Sequence, residues 1–153
     1  MEITLYQPLI PQNVGAIART CAATGTLLNL IKPFPFELTE KRVKRAGLDY
    51  WHLVRVSVWE SWTEYWNRKK NFRHWLIETP GNRNFFSEKF DLNDIFIFGN
   101  ETKGVDDFVR DLLKDCLYIP VVPETVRSLN LSNCVAIVVY ECLRQNQFRG
   151  ISI

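Results

Sequence analysis

Apolar positions recur along this chain in two rhythms, short runs and stripes spaced three or four residues apart. Ile3–Tyr6 is a short run closed by Pro8 and Pro11 and reads as a first strand. Asn13 then serves as an N-cap, and Ile17, Cys21 and Thr24 continue a helix that Gly25 ends. Leu27–Ile31 reads as a strand buried on both faces, as parallel sheets require. The pattern predicts a short helix from Thr39 to Ala46, stopped by Gly47, and further strands over Leu53–Val58, Trp75–Thr79, Ile95–Gly99 and Leu117–Val122. Helices are predicted over 106–114 and over 132–147, the second with Val135, Val138, Val139 and Cys142 on one face. Trp59, Trp62, Tyr65 and Trp66 also fall at helical spacing, a stripe suited to core or interface more than to stacking nucleobases. Strands alternating with helices imply an α/β fold with a mostly parallel sheet.

Composition bounds what such a fold can be. With 153 residues and 46% hydrophobic content, the chain suits one compact domain spanning 1–153. No apolar run approaches the length of a bilayer span, and the N-terminus lacks the pattern of a signal peptide. Four cysteines, at 21, 116, 134 and 142, have neither disulfide-framework nor zinc spacing, and His52 and His74 stand alone. Reduced, buried thiols, no metal, no membrane and a cytoplasmic setting are the expectations.

Net charge is only +2, yet residues 41–75 hold nine Lys/Arg against three Asp/Glu, and the rest ten against fourteen. Lys41-Arg42-Val43-Lys44-Arg45 and Arg68-Lys69-Lys70 interleave there with tryptophans. That strip fits a polyanion with stackable bases, or a solvated helix face beside core tryptophans.

Three polar, glycine-bearing stretches follow predicted strands, where ligands of α/β sheets bind. The first is Pro11-Gln12-Asn13-Val14-Gly15-Ala16-Ile17-Ala18-Arg19. Asn13 and Arg19 share one site only if Asn13 caps the helix, and Arg19 is either a solvated charge or a guanidinium for phosphate. The second is Gly99-Asn100-Glu101-Thr102-Lys103-Gly104, two permissive backbones around a carboxylate that let a ligand approach the main chain. The third leads from Ile119 to Asn133, where Arg127-Ser128-Leu129-Asn130-Leu131-Ser132-Asn133 has five polar side chains in seven positions. A helix N-cap needs one. Walker, dinucleotide-binding and nucleophile-elbow motifs are absent, which disfavours the commoner α/β enzymes.

Together these stretches resemble the SPOUT superfamily of knotted RNA methyltransferases. Further similarity lies in Leu5-Tyr6-Gln7-Pro8, Cys21–Gly25, Lys44-Arg45-Ala46-Gly47-Leu48-Asp49-Tyr50 and Val139-Tyr140-Glu141 through Arg144-Gln145, so it covers essentially the whole chain. It points to the small single-domain branch that methylates the ribose 2′-oxygen of the tRNA wobble nucleotide, a cytidine or a modified uridine. The resemblance implies a six-stranded, mostly parallel sheet with helices on both faces and a C-terminal trefoil knot, a topology that general rules of chain threading would have rejected. It implies S-adenosylmethionine as cofactor, held mainly by backbone groups at Ile77, Gly99, Glu101, Gly104, Ile119, Ser128 and Leu129. It further implies a homodimer through the N- and C-terminal helices, with Asn13 and Arg19 near the cofactor. Catalytic positions carried over are Arg19, Ser128, Asn130, Asn13 and Glu101. Arg19, as a permanent cation, suits phosphate anchoring and oxyanion stabilisation better than the role of base. Candidate contacts to the tRNA anticodon stem-loop are Arg19, Lys41, Arg42, Lys44, Arg45 and Arg127. Departures from the family pattern are one extra residue between Pro120 and Arg127 and an unusual Pro80–Asn84 stretch. The alternatives are another tRNA position, ribosomal RNA, or a non-catalytic RNA-binding protein on the same scaffold.

Overall fold

The computed structural model describes residues 1–37, 50–122 and 124–151. Seven strands among them form one sheet: β1 (Glu2–Tyr6), β2 (Leu27–Ile31), β3 (Val56–Trp59), β4 (His74–Ile77), β5 (Arg83–Asn84), β6 (Ile95–Phe98) and β7 (Cys116–Tyr118). Their spatial order is β3-β2-β1-β6-β4-β7-β5, and every pairing is parallel. The helices are α1 (Pro11–Thr24), α2 (Trp62–Lys69), α3 (Asp107–Leu113) and α4 (Leu131–Gln145). The helix expected over 39–46 lies outside the described residues.

The sheet is a period-two device with a different core on each face. Phe96 and Phe98 of β6, with Ile3 and Leu5 of β1, turn toward α1 and α4. Ile95 and Ile97 turn the other way, into a cluster with Trp62 and Tyr65 of α2 and Val109 and Leu113 of α3. All four β6 residues are buried, as a strand paired on both sides and covered on both faces must be. Each large apolar side chain removed from water contributes about 1.5–3 kcal/mol, so this double layer is the main stabilising term.

Several boundaries depart from the sequence reading for local reasons. The sheet has seven strands rather than six, because Arg83–Asn84 adds two residues beside β7. A polar two-residue edge strand leaves no trace in apolar periodicity. The expected Leu117–Val122 strand stops at Tyr118, before Pro120, whose missing N–H cannot extend a ladder. Residues Trp51–Leu53 form a 3₁₀ turn, so the third strand starts at Val56. Asn13 is not an N-cap: Ile10 is, with Pro11 opening α1, and Asn13 lies inside the first turn. Gly25 ends α1 as expected, in the left-handed region at φ 63°.

The tryptophan stripe belongs to the core. Trp62 and Tyr65 are buried, while Trp59 and Trp66 pack against them half-buried, Trp59 from β3 rather than from the helix. Ser61 caps α2 by accepting the Glu64 N–H at 3.2 Å. Tyr65 also shares a hydrogen bond of 3.0 Å with the hydroxyl of Thr4, both residues being fully buried. Tyr65→Phe removes one partner and strands the other, so it should lower unfolding free energy by about 1–3 kcal/mol in urea titrations. An unchanged midpoint would mean that Thr4 finds another partner.

Candidate active site

Strand order places the site. From β1 the chain steps outward through β2 to β3, then crosses to β4 on the other side of β6. Ligands of parallel sheets bind at the carboxyl ends of strands beside such a reversal. An open-mouthed cavity of about 910 Å³ lies there, lined by residues immediately following β4, β6 and β7 and by the start of α4. The register keeps these ends level, with Ile77 opposite Phe98 and Leu117.

Each sequence-derived cofactor position, Ile77, Gly99, Glu101, Gly104, Ile119, Ser128 and Leu129, lines this cavity, as do Asn13, Asn130 and Arg127. Arg19 does not line it. Six residues of α-helix rotate a side chain about 600°, so Asn13 and Arg19 leave α1 on different sides. Arg19 is exposed, its guanidinium 4.7 Å from the centre of the Tyr50 ring, and the Tyr50 hydroxyl donates to the Gly15 carbonyl at 2.9 Å. With Asn13 inside the helix rather than capping it, Asn13 and Arg19 do not face one site within a single chain. Lys41, Arg42, Lys44 and Arg45 lie outside the described residues. The other half of the basic strip is remote from the site: α2 returns the chain to the amino ends of the strands, where Lys69 pairs with Glu2 at 2.8 Å.

A hydrogen-bonded clasp joins the three predicted stretches. Glu101 accepts the backbone N–H of Leu9 at 2.8 Å and of Ile10 at 3.2 Å, and the Asn13 side-chain amide at 2.9 Å. The Asn13 carbonyl oxygen accepts the Asn130 amide at 3.0 Å. Asn130 caps α4 through its own oxygen, which accepts the Ser132 N–H at 2.9 Å. Since Ile10 offers no side-chain cap, Glu101 supplies from a distant loop both the acceptor and the negative charge that a helix N-terminus favours. Three of its roughly four lone-pair sites are taken by the protein, which makes it a scaffold for the cavity.

The glycines also serve the loop before any ligand. A Cβ on Gly99 would lie 2.2 Å from the carbonyl carbon of Gly104, and Asn100 and Gly104 exchange backbone hydrogen bonds of 3.1 Å. Gly104 has φ +72°, and a Cβ there would meet the Glu78 carboxylate at 1.7 Å. The sequence reading had assigned these positions to ligand approach; they first let the loop pinch shut.

Glu78, Asn100, Lys103 and Arg110 line the cavity without having been singled out for it. Glu78 was absorbed into the tail of the predicted strand, although an acid at a strand's carboxyl end was itself a signal. Its carboxylate accepts the Val105 N–H at 2.9 Å and Arg110 Nε and Nη2 at 3.0 and 2.9 Å. That bond holds the Arg110 guanidinium above its ordinary pKa range. Burial raises the Cys134 thiol, the cysteine in the lining, away from the thiolate form a nucleophile needs. Burial also pushes Cys21 up to about 12, and Cys116 and Cys142 to about 11. No group of three or more His, Cys, Asp or Glu among the described residues is placed to hold a metal ion. No helix among them is long and apolar enough to cross a membrane.

A model described as the SpoU rRNA Methylase family matches residues 1–140. The chain belongs to the SpoU rRNA methylase family. Among relatives of this SpoU-family chain, a Methylovorus glucosotrophus protein named tRNA (cytidine(34)-2'-O)-methyltransferase is 41% identical over 151 residues, covering 97% of each sequence. A solved structure concerned with the 2-OH methylation of C/U34 on tRNA superimposes with a TM-score of 0.87 at 38% identity, covering 97% of both chains. The SpoU methyltransferase AviRb from Streptomyces viridochromogenes, solved in complex with AdoMet, shares the fold at a TM-score of 0.82 and 22% identity, over 97% of this chain and 61% of that one.

Glu101→Ala should uncap α1 and release Asn13 from one side. The expected cost is about 2–4 kcal/mol, since a charged acceptor of two backbone amides is lost. Urea unfolding measures it, and amide exchange should accelerate first at Leu9 and Ile10. A loss below about 0.5 kcal/mol would show that water replaces the carboxylate.

Proposed function

We propose that this chain is a single SPOUT-type domain, residues 1–153, that transfers a methyl group from S-adenosylmethionine to the 2′-oxygen of the wobble nucleotide of tRNA, in the cytoplasm. One observation carries this reading: a relative named for that reaction aligns over 97% of both sequences, and Asn13, Glu101, Ser128 and Asn130 line one cavity. The family's description mentions ribosomal RNA, but the match over 97% of a cytidine-34 enzyme favours tRNA over that second reading. The knot is part of the proposal and rests on family membership.

The cavity suits the cofactor. Its volume lies in the range of about 300–1,000 Å³ usual for small-molecule sites. Ile77, Phe98, Ile119, Leu129 and Leu131 offer an apolar wall for a base, and Glu78, Asn100, Ser128 and Arg127 offer polar groups for the rest. S-adenosylmethionine supplies an already electrophilic sulfonium methyl when bound. The protein's task is then alignment, exclusion of water and stabilisation of the ribose oxygen as it loses its proton. Ser128 and Asn130 position substrate or cofactor, Asn13 and Glu101 fix the shape of the site, and Arg19 anchors phosphate and stabilises the developing oxyanion. Arg19 lies outside its own cavity, so this role requires a second copy of the chain packed on α1 and α4. We therefore include a homodimer with the site beside its interface. Lys41, Arg42, Lys44, Arg45 and Arg127 complete the RNA contacts.

The test is single-turnover methylation of tRNA with purified protein, read by nuclease digestion and mass spectrometry at position 34. Arg19→Ala should lose roughly 30- to 1,000-fold in rate, while cofactor affinity stays within about threefold. Arg19→Lys should recover only part, because an ammonium lacks the planar fork. Lys41→Ala or Lys44→Ala should weaken RNA binding mildly and flatten its salt dependence. Wild-type rates for Arg19→Ala would make Arg19 a solvated helix charge. Methylation of ribosomal RNA but not tRNA would overturn the substrate assignment.

A further inference from the structure

The Glu78–Arg110 pair is a charged feature of the cavity to which the catalytic reading gives no specific contact. Glu78 directly follows β4, beside the apolar wall formed by Ile77, Phe98 and Ile119. Its side chain is 13% exposed, and that remaining surface belongs to a residue lining the cavity. The carboxylate is held firmly: Oε1 accepts the Val105 N–H, and Oε2 accepts two guanidinium N–H groups. Arg110 is fixed in turn by Asp107 at 2.6 Å and by the Val105 carbonyl at 3.1 Å. A carboxylate has about four lone-pair sites, so these three bonds leave acceptor capacity on a pre-oriented group. Its charge is compensated by Arg110, so it offers acceptor oxygens more than net negative potential. A hydroxyl donor fits such a group, and in dinucleotide-binding α/β folds an Asp or Glu accepts a ribose hydroxyl in the same way.

We infer that Glu78, held in place by Arg110, is the acceptor for a ribose hydroxyl of the cofactor, with the apolar wall beside it taking the adenine. The inference rests on the methyl-transfer reading. It adds a side-chain determinant of cofactor binding to a site otherwise expected to use backbone groups. Arg110 acts through Glu78 and is a positioning residue. An acid here also explains a local constraint: the space over Gly104 that any side chain would fill is occupied by Glu78.

The experiment is calorimetric titration of S-adenosylhomocysteine and its 2′-deoxy and 3′-deoxy ribose analogues, with no RNA and no turnover. Wild-type protein should bind one deoxy analogue roughly 10- to 100-fold more weakly, the loss of a hydrogen bond to a charged group. In Glu78→Ala/Arg110→Leu, which removes both charges together, affinity for the parent ligand should fall while the preference over that deoxy analogue shrinks toward unity. Arg110→Leu alone should reduce the preference partially, and Glu78→Gln should retain part of it. The comparison of ligands on wild-type protein stands even if a variant fails to fold: discrimination below about threefold for both analogues overturns the inference. So does a double variant that discriminates as well as wild type, which would make the pair a strut only. If wild-type protein binds none of the three ligands, the methyl-transfer reading falls and this inference with it. Normal binding with no hydroxyl discrimination removes the inference alone.

Discussion

The cavity exists because one carboxylate holds three distant pieces of chain together. Glu101 reaches from the loop after β6 to the backbone of Leu9 and Ile10 and to the amide of Asn13, and Asn13 passes the connection to Asn130 at the head of α4. These segments are separated by 88 and 117 positions in sequence, so no local propensity brings them together. The sheet delivers them within reach, and the clasp fixes their spacing. Removing any member leaves an orphaned backbone amide or amide side chain in a part-buried site, where an unmade bond costs more than a made bond contributes.

The sheet's contribution is directional. With β6 inserted between β1 and β4, three strands end side by side, and the chain must leave each of them at the same edge. The loops that result cannot pack as tightly as the sheet does, and the cavity is the space between them. Two glycines let one loop fold back on itself, and a carboxylate paired with Arg110 occupies the volume that a side chain at Gly104 would claim. Catalytic potential thus comes from rigid strands that terminate together, with the polar groups standing on short tethers.

Much of this was legible in the chain. Apolar runs, broken in β2 only by the buried Asn29, identified β2 and β6 because burial on both faces leaves no alternation to misread. The helix end at Gly25 follows from capping chemistry, the last helix begins one residue before the expected Ser132 with Asn130 as its cap, and the three polar stretches did converge. What escaped was short or non-local. Arg83–Asn84 is a strand only because β7 lies beside it, and Asn13 looked like a cap because its true partner, Glu101, is 88 residues away. Arg19 was expected near the cofactor, and helical rotation turns it away from its own chain's cavity, onto Tyr50. Glu78 was hidden in a predicted strand tail, and its importance emerges only when Arg110 and Val105 N–H are seen around it. Motif spacing reported which segments meet; it did not report which atoms.

If the clasp acts as one unit that shapes the cofactor cavity, its members must be energetically coupled even where they do not touch. The decisive measurement is a double-mutant cycle between Glu101→Gln and Asn130→Ala, two positions joined only through Asn13, read as S-adenosylmethionine affinity by calorimetry. Each single variant should weaken binding and the double variant should be little worse than the weaker single, with a coupling of at least about 0.5 kcal/mol. Strictly additive losses, within about 0.3 kcal/mol, or single variants that bind as wild type does, would contradict it.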